Sequence, residues 1–190
     1  MDFFYHFFGH IRTITRHRHE VIRNCCKCGI LGQGLRHDLS KFSPTEFNPG
    51  VRYYQGTRSP NEGEREAYGY SAAWMHHKGR NRHHFEYWTD YNPATHLMEP
   101  VKMPVRYVVE MFCDRVAASK VYQGAAYRSD SALTYFLRAK PRRKIHPDTS
   151  EMLERLLTIL AEQGEEPAFA EARRLVKNDR AARKERAQTK

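Results

Sequence analysis

The chain has 190 residues and a mass of 22.4 kDa, room for one domain with one core and too little for a second full domain. Its 40% hydrophobic and 12% aromatic content exclude wholesale disorder, and its four cysteines, Cys25, Cys26 and Cys28 crowded together with Cys113 apart, exclude a disulfide framework. The net charge of +10 is local: residues 138–144 (RAKPRRK) carry five positives and residues 177–190 a net four, so nine of the ten charges fall on a connector and a tail.

Such basic segments read first as solvated surface, with nucleic acid as a possible partner of the tail. No aromatic residues interleave there to form a stacking platform. The longest apolar cluster, FFYHFFGHI (3–11), is too short to span a bilayer and has no secretory pattern, so the expectation is a cytoplasmic, reduced protein without a membrane span.

In chain order, Phe3, Phe4, Phe7, Phe8 and Ile11 recur at helical spacing, which predicts an N-terminal helix docked on the body. A helix follows from about residue 10 to 28, with His17, Val21, Asn24 and Cys25 near one face. GILGQG (29–34) breaks it. SPTE (43–46) and SPNE (59–62) have the grammar of capping boxes with proline at the first helical position. The second opens a longer helix through EREAYGYSAAWMHHK, placing Tyr70, Trp74 and His77 on one face. GRN (79–81) interrupts it before HHFEYWTDY, and strand alternation is scarce throughout. From Pro104 a helix runs to Gly124 with Val105, Val108, Val109, Phe112 and Val116 as its stripe and Glu110 and Asp114 one turn apart. Helices at about 130–139 and 148–163 complete an all-α domain of six to eight helices. Its body is assigned to residues 1–165 and a basic C-terminal helix or tail to 166–190.

Eleven histidines are many for this length, and His17, His37, the pair His76–His77 and the pair His83–His84 lie in the first half. Imidazoles and carboxylates are the usual ligands of first-row divalent metals, and helices can aim them at one centre. His37 and Asp38, adjacent on a helix, would point about 100° apart, letting the imidazole hold one ion while the carboxylate bridges to a second. Three cysteines in four residues without a second cluster lack the paired spacing of a structural zinc site, so Cys25 reads as core.

The order of a lone histidine, an HD dipeptide, a histidine pair and an aspartate on a later apolar helix resembles the HD-type metal-dependent phosphohydrolase superfamily. HDLSK is similar to the HD-x-x-K pattern of its cyclic-dinucleotide phosphodiesterase branch, and WMHHKGRNRHH to that branch's double-histidine motif. The phrases TITRH, GLRHDLSKFSPTEF, YYQGTRSP, AWMHHKGRNRHHFEYW and MPVRYVVEMFCDRVAASKVY resemble, over roughly residues 12–165, a bacterial and phage family catalogued as a domain of unknown function.

The superfamily resemblance implies an HD-like helical domain with His17, His37, Asp38 and Asp114 as metal ligands, and His76 and His77 added if the centre is binuclear. The metal would be one or two divalent ions of Mn, Fe, Co, Ni or Zn. No histidine lies between residues 38 and 76, where the superfamily often has a ligand, so His83 or His84 could take that place. The implied activity is metal-dependent hydrolysis of a nucleotide or related phosphoester, with Asp38 and Lys41 at the reaction centre. Lys78, Arg80, Asn81, His83 and His84 would contact the anionic substrate together with Lys41. Glu110 either orients a ligand imidazole or accepts an ion pair from Arg106 or Arg115. A diiron oxygenase, and a non-catalytic metal-stabilised protein that binds nucleic acid, are the alternatives.

Overall fold

A computed structural model describes residues 3–189. The all-α expectation holds, with nine α-helices among the described residues, one more than the upper expectation, and a single two-stranded hairpin.

The first helix, α1 (Phe3–Lys27), is continuous and buries His10, Ile14, His17, Val21, Asn24 and Cys25, a stripe at three- and four-residue spacing. That stripe corrects the reading of the N-terminus. Phe3, Phe4 and Phe8 are 62–64% exposed, and the docking of this segment runs instead through Phe7, edge-on to Phe47 at 5.6 Å, and His6 beside Tyr54, with full burial starting at His10. Nor does GILGQG act simply as a break. After Gly29 and Ile30 the chain forms α2 (Leu31–Arg36), which lies so close against α1 that a Cβ on Gly34 would sit 2.7 Å from Cys25 Cβ.

His37 and Asp38 are therefore not on a helix. His37 is extended (φ −55°, ψ 129°), and Asp38 is left-handed (φ 54°, ψ 25°) before a 3₁₀ turn at Leu39–Phe42. A left-handed aspartate is uncommon, and here it turns both side chains into the same interior. Arg18 of α1 fastens the turn by donating Nε to the His37 carbonyl at 3.0 Å and Nη2 to the Leu35 carbonyl at 2.9 Å.

Helix α3 (Pro44–Arg52) crosses α1 at Gly50, where a Cβ would lie 2.3 Å from His10 Nε2. The expected long helix after SPNE is two helices, α4 (Pro60–Tyr68) and α5 (Ala72–Arg80). Gly69 ends α4 in the left-handed region at φ 79°, and Ser71 caps α5 by accepting from the Trp74 amide at 2.9 Å. Tyr70 thus lies between helices, exposed, and shares no helical face with Trp74 and His77. Beyond α5 no full helix resumes. A 3₁₀ turn (Phe85–Tyr87) leads into a surface hairpin of β1 (Thr89–Asn92) and β2 (Leu97–Pro100), antiparallel with Asp90 opposite Glu99.

The centre of the fold is α6 (Val105–Gln123), which packs on α1, α7 (Ser131–Ala139), α8 (Pro147–Gln163) and α9 (Glu165–Gln188). It is buried on most sides through Val108, Val109, Met111, Phe112, Cys113, Val116 and Ala117. Helix α8 adds Leu153, Leu156, Leu157 and Leu160, all with no exposed surface and each worth about 1.5–3 kcal/mol of burial. Helix α9 inserts Ala168, Phe169, Ala172 and Val176 into the same core, while from Ala181 onward its described residues are exposed. Cys25, Cys28 and Cys113 are free buried thiols, with Cys28 and Cys113 Sγ atoms 3.6 Å apart. No described helix is long and apolar enough to cross a membrane.

Candidate metal centre

The core packing of α1 against α6 sets His17 beside Asp114, one turn beyond Glu110. Asn24 holds the pair of helices in register by donating Nδ2 to the Cys113 carbonyl at 3.2 Å. The turn after α2 brings His37 and Asp38 between them. Asp38 is 1% exposed and divides its two oxygens. Its Oδ2 faces His37 Nε2 (3.3 Å), His17 Nε2 (3.6 Å) and Lys41 Nζ (2.6 Å); its Oδ1 faces His77 Nε2 (3.3 Å) and His83 Nε2 (3.5 Å). Asp114 Oδ1 lies 3.0 Å from His17 Nε2 and 3.6 Å from His37 Nε2.

Two sets of ligand atoms converge around the shared Asp38: His17, His37, Asp38 and Asp114 on one side, and Asp38, His77, His83 and His84 on the other. Within each set the atoms lie within 4.8 Å of one another. A third set, His37, His83 and Glu110, meets on the outer faces of the two rings.

These close approaches are mostly not hydrogen bonds. The Nε2 atoms of His17, His37, His83 and His84, and Oδ1 of Asp38, are buried without a hydrogen-bond partner. Leaving one such group unsatisfied costs about 1–3 kcal/mol, so five in one interior are a cost that a bound cation would relieve. Donors and acceptors facing inward without bonding one another, four imidazole nitrogens and a carboxylate oxygen, suit a divalent cation.

The outward Nδ1 atoms are held by acids. Glu110 Oε1 faces His37 Nδ1 at 3.1 Å and His83 Nδ1 at 3.3 Å, while its Oε2 accepts from Gln33 Nε2 at 2.6 Å. Glu46 binds His77 Nδ1 through Oε2 and His76 Nδ1 through Oε1, both at 2.7 Å. The N-cap Ser43 makes no side-chain cap bond, and Glu46 reaches across to α5 rather than closing the expected capping box. A carboxylate on the far nitrogen fixes the tautomer that leaves Nε2 free as a ligand.

Electrostatics agree with a missing positive charge. Burial acts to strip His37 of its proton, but Asp38, Asp114 and Glu110 outweigh it and hold the imidazole well above its ordinary range. Burial likewise opposes the charge on Asp38, yet His37, Lys41 and His77 hold its carboxyl well below the usual carboxylate range. Glu110 is drawn down to about 2 against its own burial by His37 and His83. His83 and His84 are pushed down, first by burial and then by neighbouring imidazoles, and so stay neutral. Protons on His37 thus balance buried carboxylates where a metal ion would do so.

The expected site residues separate into two groups. His17, His37, Asp38, His77, Asp114, His83 and His84 are brought together, with Lys41 and Glu110 touching them. His76 is bonded to Glu46 and belongs to neither converging set. Asn81 is buried behind His77, donating Nδ2 to Ser40 Oγ at 2.8 Å and to the His77 carbonyl at 2.8 Å. Lys78 and Arg80 are absent from the wall of the adjoining cavity. That cavity, about 790 Å³, is lined by His17, Asp38, Lys41, His77, His84 and Asp114 together with arginines of later segments. Sequence reasoning missed Glu46, whose only signal was a place in a capping box, and Gln33, hidden in a glycine-rich run.

Helical scaffold and buried cluster define an all-α protein whose histidine–aspartate groups could hold a metal ion. The chain belongs to the family of unknown function DUF5662, whose sequence model matches residues 6–159. No curated protein and no solved structure matches it significantly.

Proposed function

We propose that this protein is a metal-dependent phosphohydrolase of HD-like type, acting on a nucleotide or related phosphoester. The reading rests on one observation: the buried, unpartnered Nε2 atoms of His17, His37, His83 and His84 are grouped with Asp38, whose Oδ1 is unpartnered as well. His17, His37, Asp38 and Asp114 would hold one divalent ion, and Asp38, His77, His83 and His84 a second. Bound there, a divalent ion supplies a water of lowered pKa and a Lewis acid for a phosphoryl oxygen.

The chain's own groups do the rest. Glu110 and Glu46 present the imidazoles in the ligating tautomer, and Asp38 joins the two positions through its separate oxygens. Lys41, 2.6 Å from Asp38 and half-buried on the cavity wall, neutralises charge that develops on phosphoryl oxygens. Lys41, Arg115 and Arg143 on the cavity wall suit an anionic phosphoester, whereas the oxygenase alternative gives them no role.

The test is phosphate or nitrophenol release from p-nitrophenyl phosphate and its bis ester by protein loaded with Mn²⁺, Co²⁺ or Ni²⁺. Activity that disappears in Asp38→Ala supports the reading. No turnover on any phosphoester, together with an oxidised-diiron absorbance and oxygen consumption, would move the assignment to the oxygenase.

A further inference from the structure

We propose that Arg115 and Arg143 form a second anion subsite on the wall of the cavity that opens onto the histidine–aspartate cluster, and that the substrate is a di- or triphosphate such as a nucleoside polyphosphate. This deepens the phosphohydrolase reading and rests on it for the location of the reacting phosphate.

Arg115 follows Asp114 on α6, so its side chain starts one residue from the cluster. Arg143 comes from the basic connector RAKPRRK, whose charges the sequence alone assigns to solvent. Both line the same cavity as Asp38 and Lys41. Their positive charges act on each other, and although Asp114 and Glu86 attract Arg115, neither arginine forms an ion pair among the described residues. Arg115 Nε and Arg143 Nη1 are buried atoms without a hydrogen-bond partner. Aromatic faces hold the two forks instead: Arg143 Cζ lies 5.4 Å from the Tyr135 ring centre and 5.7 Å from that of Phe85, and Arg115 Cζ lies 5.8 Å from that of Phe136. Ring contacts position a guanidinium without neutralising it.

Of the other arginines on this wall, Arg138 is exposed beside the Tyr135 ring and two are already paired. Arg58 is forked onto Glu66, and Arg65 is bonded to Glu62. Glu86 also feels both arginines, but it forms no ion pair with either among the described residues, and its Oε2 is buried without a hydrogen-bond partner. Two guanidinium groups held by ring contacts on one cavity wall, each with a buried N–H left without an acceptor, match a phosphate with several oxygens, which takes bidentate bonds from Arg. One phosphoryl group at the histidines and another at the arginines requires a substrate with a phosphate chain.

The experiment titrates inorganic pyrophosphate and orthophosphate into the full-length, chelator-stripped protein by calorimetry, which keeps the result independent of metal. Pyrophosphate should bind more tightly than orthophosphate, and Arg143→Gln should weaken it about tenfold, the worth of one charged hydrogen bond. Arg143→Lys should recover only part of that loss. On the wild-type chain, pyrophosphate should slow phenylglyoxal modification of Arg143, a readout that survives if a variant fails to fold. In Mn²⁺-loaded protein Arg143→Gln should raise KM for a nucleoside triphosphate and leave turnover of p-nitrophenyl phosphate within about twofold. Pyrophosphate binding that is unchanged in Arg143→Gln, or unprotected Arg143, overturns the subsite even if phosphoesters are hydrolysed. Arginine-dependent pyrophosphate binding without hydrolysis upholds the subsite and removes the phosphohydrolase reading.

Discussion

Glu110 is the residue whose replacement tests the architecture of the cluster most finely, because one carboxylate serves both sides of it. Its Oε1 holds His37 and His83 by their Nδ1 atoms, one from each converging set, and its Oε2 is bonded to Gln33. In Glu110→Ala both imidazoles lose the acceptor that fixes their tautomer. Loss of such a partner weakens metal binding about 10–100-fold, or roughly 1.4–2.7 kcal/mol. In Glu110→Gln the amide oxygen can still face both rings, and Gln33 can flip to meet the new amide donor, so the geometry survives while the charge is lost. The loss should fall at or below the low end, about tenfold. The assay is competition for Mn²⁺ or Zn²⁺ against a chromophoric chelator at pH 7.5, with circular dichroism to confirm that both variants are folded. Wild-type affinity in a folded Glu110→Ala would refute the tautomer-fixing role.

Asp38→Ala should abolish metal retention while keeping helicity, since no other side chain contributes to both converging sets; the check is elemental analysis beside a far-ultraviolet spectrum. Gly50→Ala should destabilise the fold by about 1–3 kcal/mol, because its Cβ would meet the His10 ring, whereas Gly79→Ala, with open space around it, should stabilise α5 by about 0.5–1 kcal/mol. Paired denaturant melts test both signs. The pH dependence should run in opposite directions with and without metal. His37 and His77 are raised in the metal-free chain, so their stabilisation is complete below the unfolded imidazole pKa of about 6.5 and is lost as pH rises through their folded values. Metal must displace those protons, so its affinity rises over the same range. The Tm difference between loaded and metal-free protein should therefore widen from pH 6 to pH 8; a constant difference would contradict the protonation scheme.

The sequence made the helical class and much of the cluster readable for a local reason. His17 on the α1 stripe and Asp114 a turn from Glu110 follow from helical phase, and HD is visible as a dipeptide. The left-handed Asp38 was not visible, because a helix and a sharp turn use the same two letters. Gly69 was a signal for the break between α4 and α5, overruled by an apolar pattern that ran across it. Glu46 had two futures, a capping bond to its own helix start or a reach to histidines 30 and 31 residues away, and only tertiary packing decides between them. The same is true of Arg143, whose aromatic supports come from Phe85 and Tyr135 on other segments. The hairpin at 89–100 is short and exposed, so no buried alternation announced it.

The most direct test of the central claim is anomalous diffraction from crystals of the full chain grown with Mn²⁺. The account expects two peaks flanking Asp38, one within reach of His17, His37 and Asp114 and the other within reach of His77, His83 and His84. Crystals equally rich in Mn²⁺ with no peak within coordinating distance of Asp38 would contradict it.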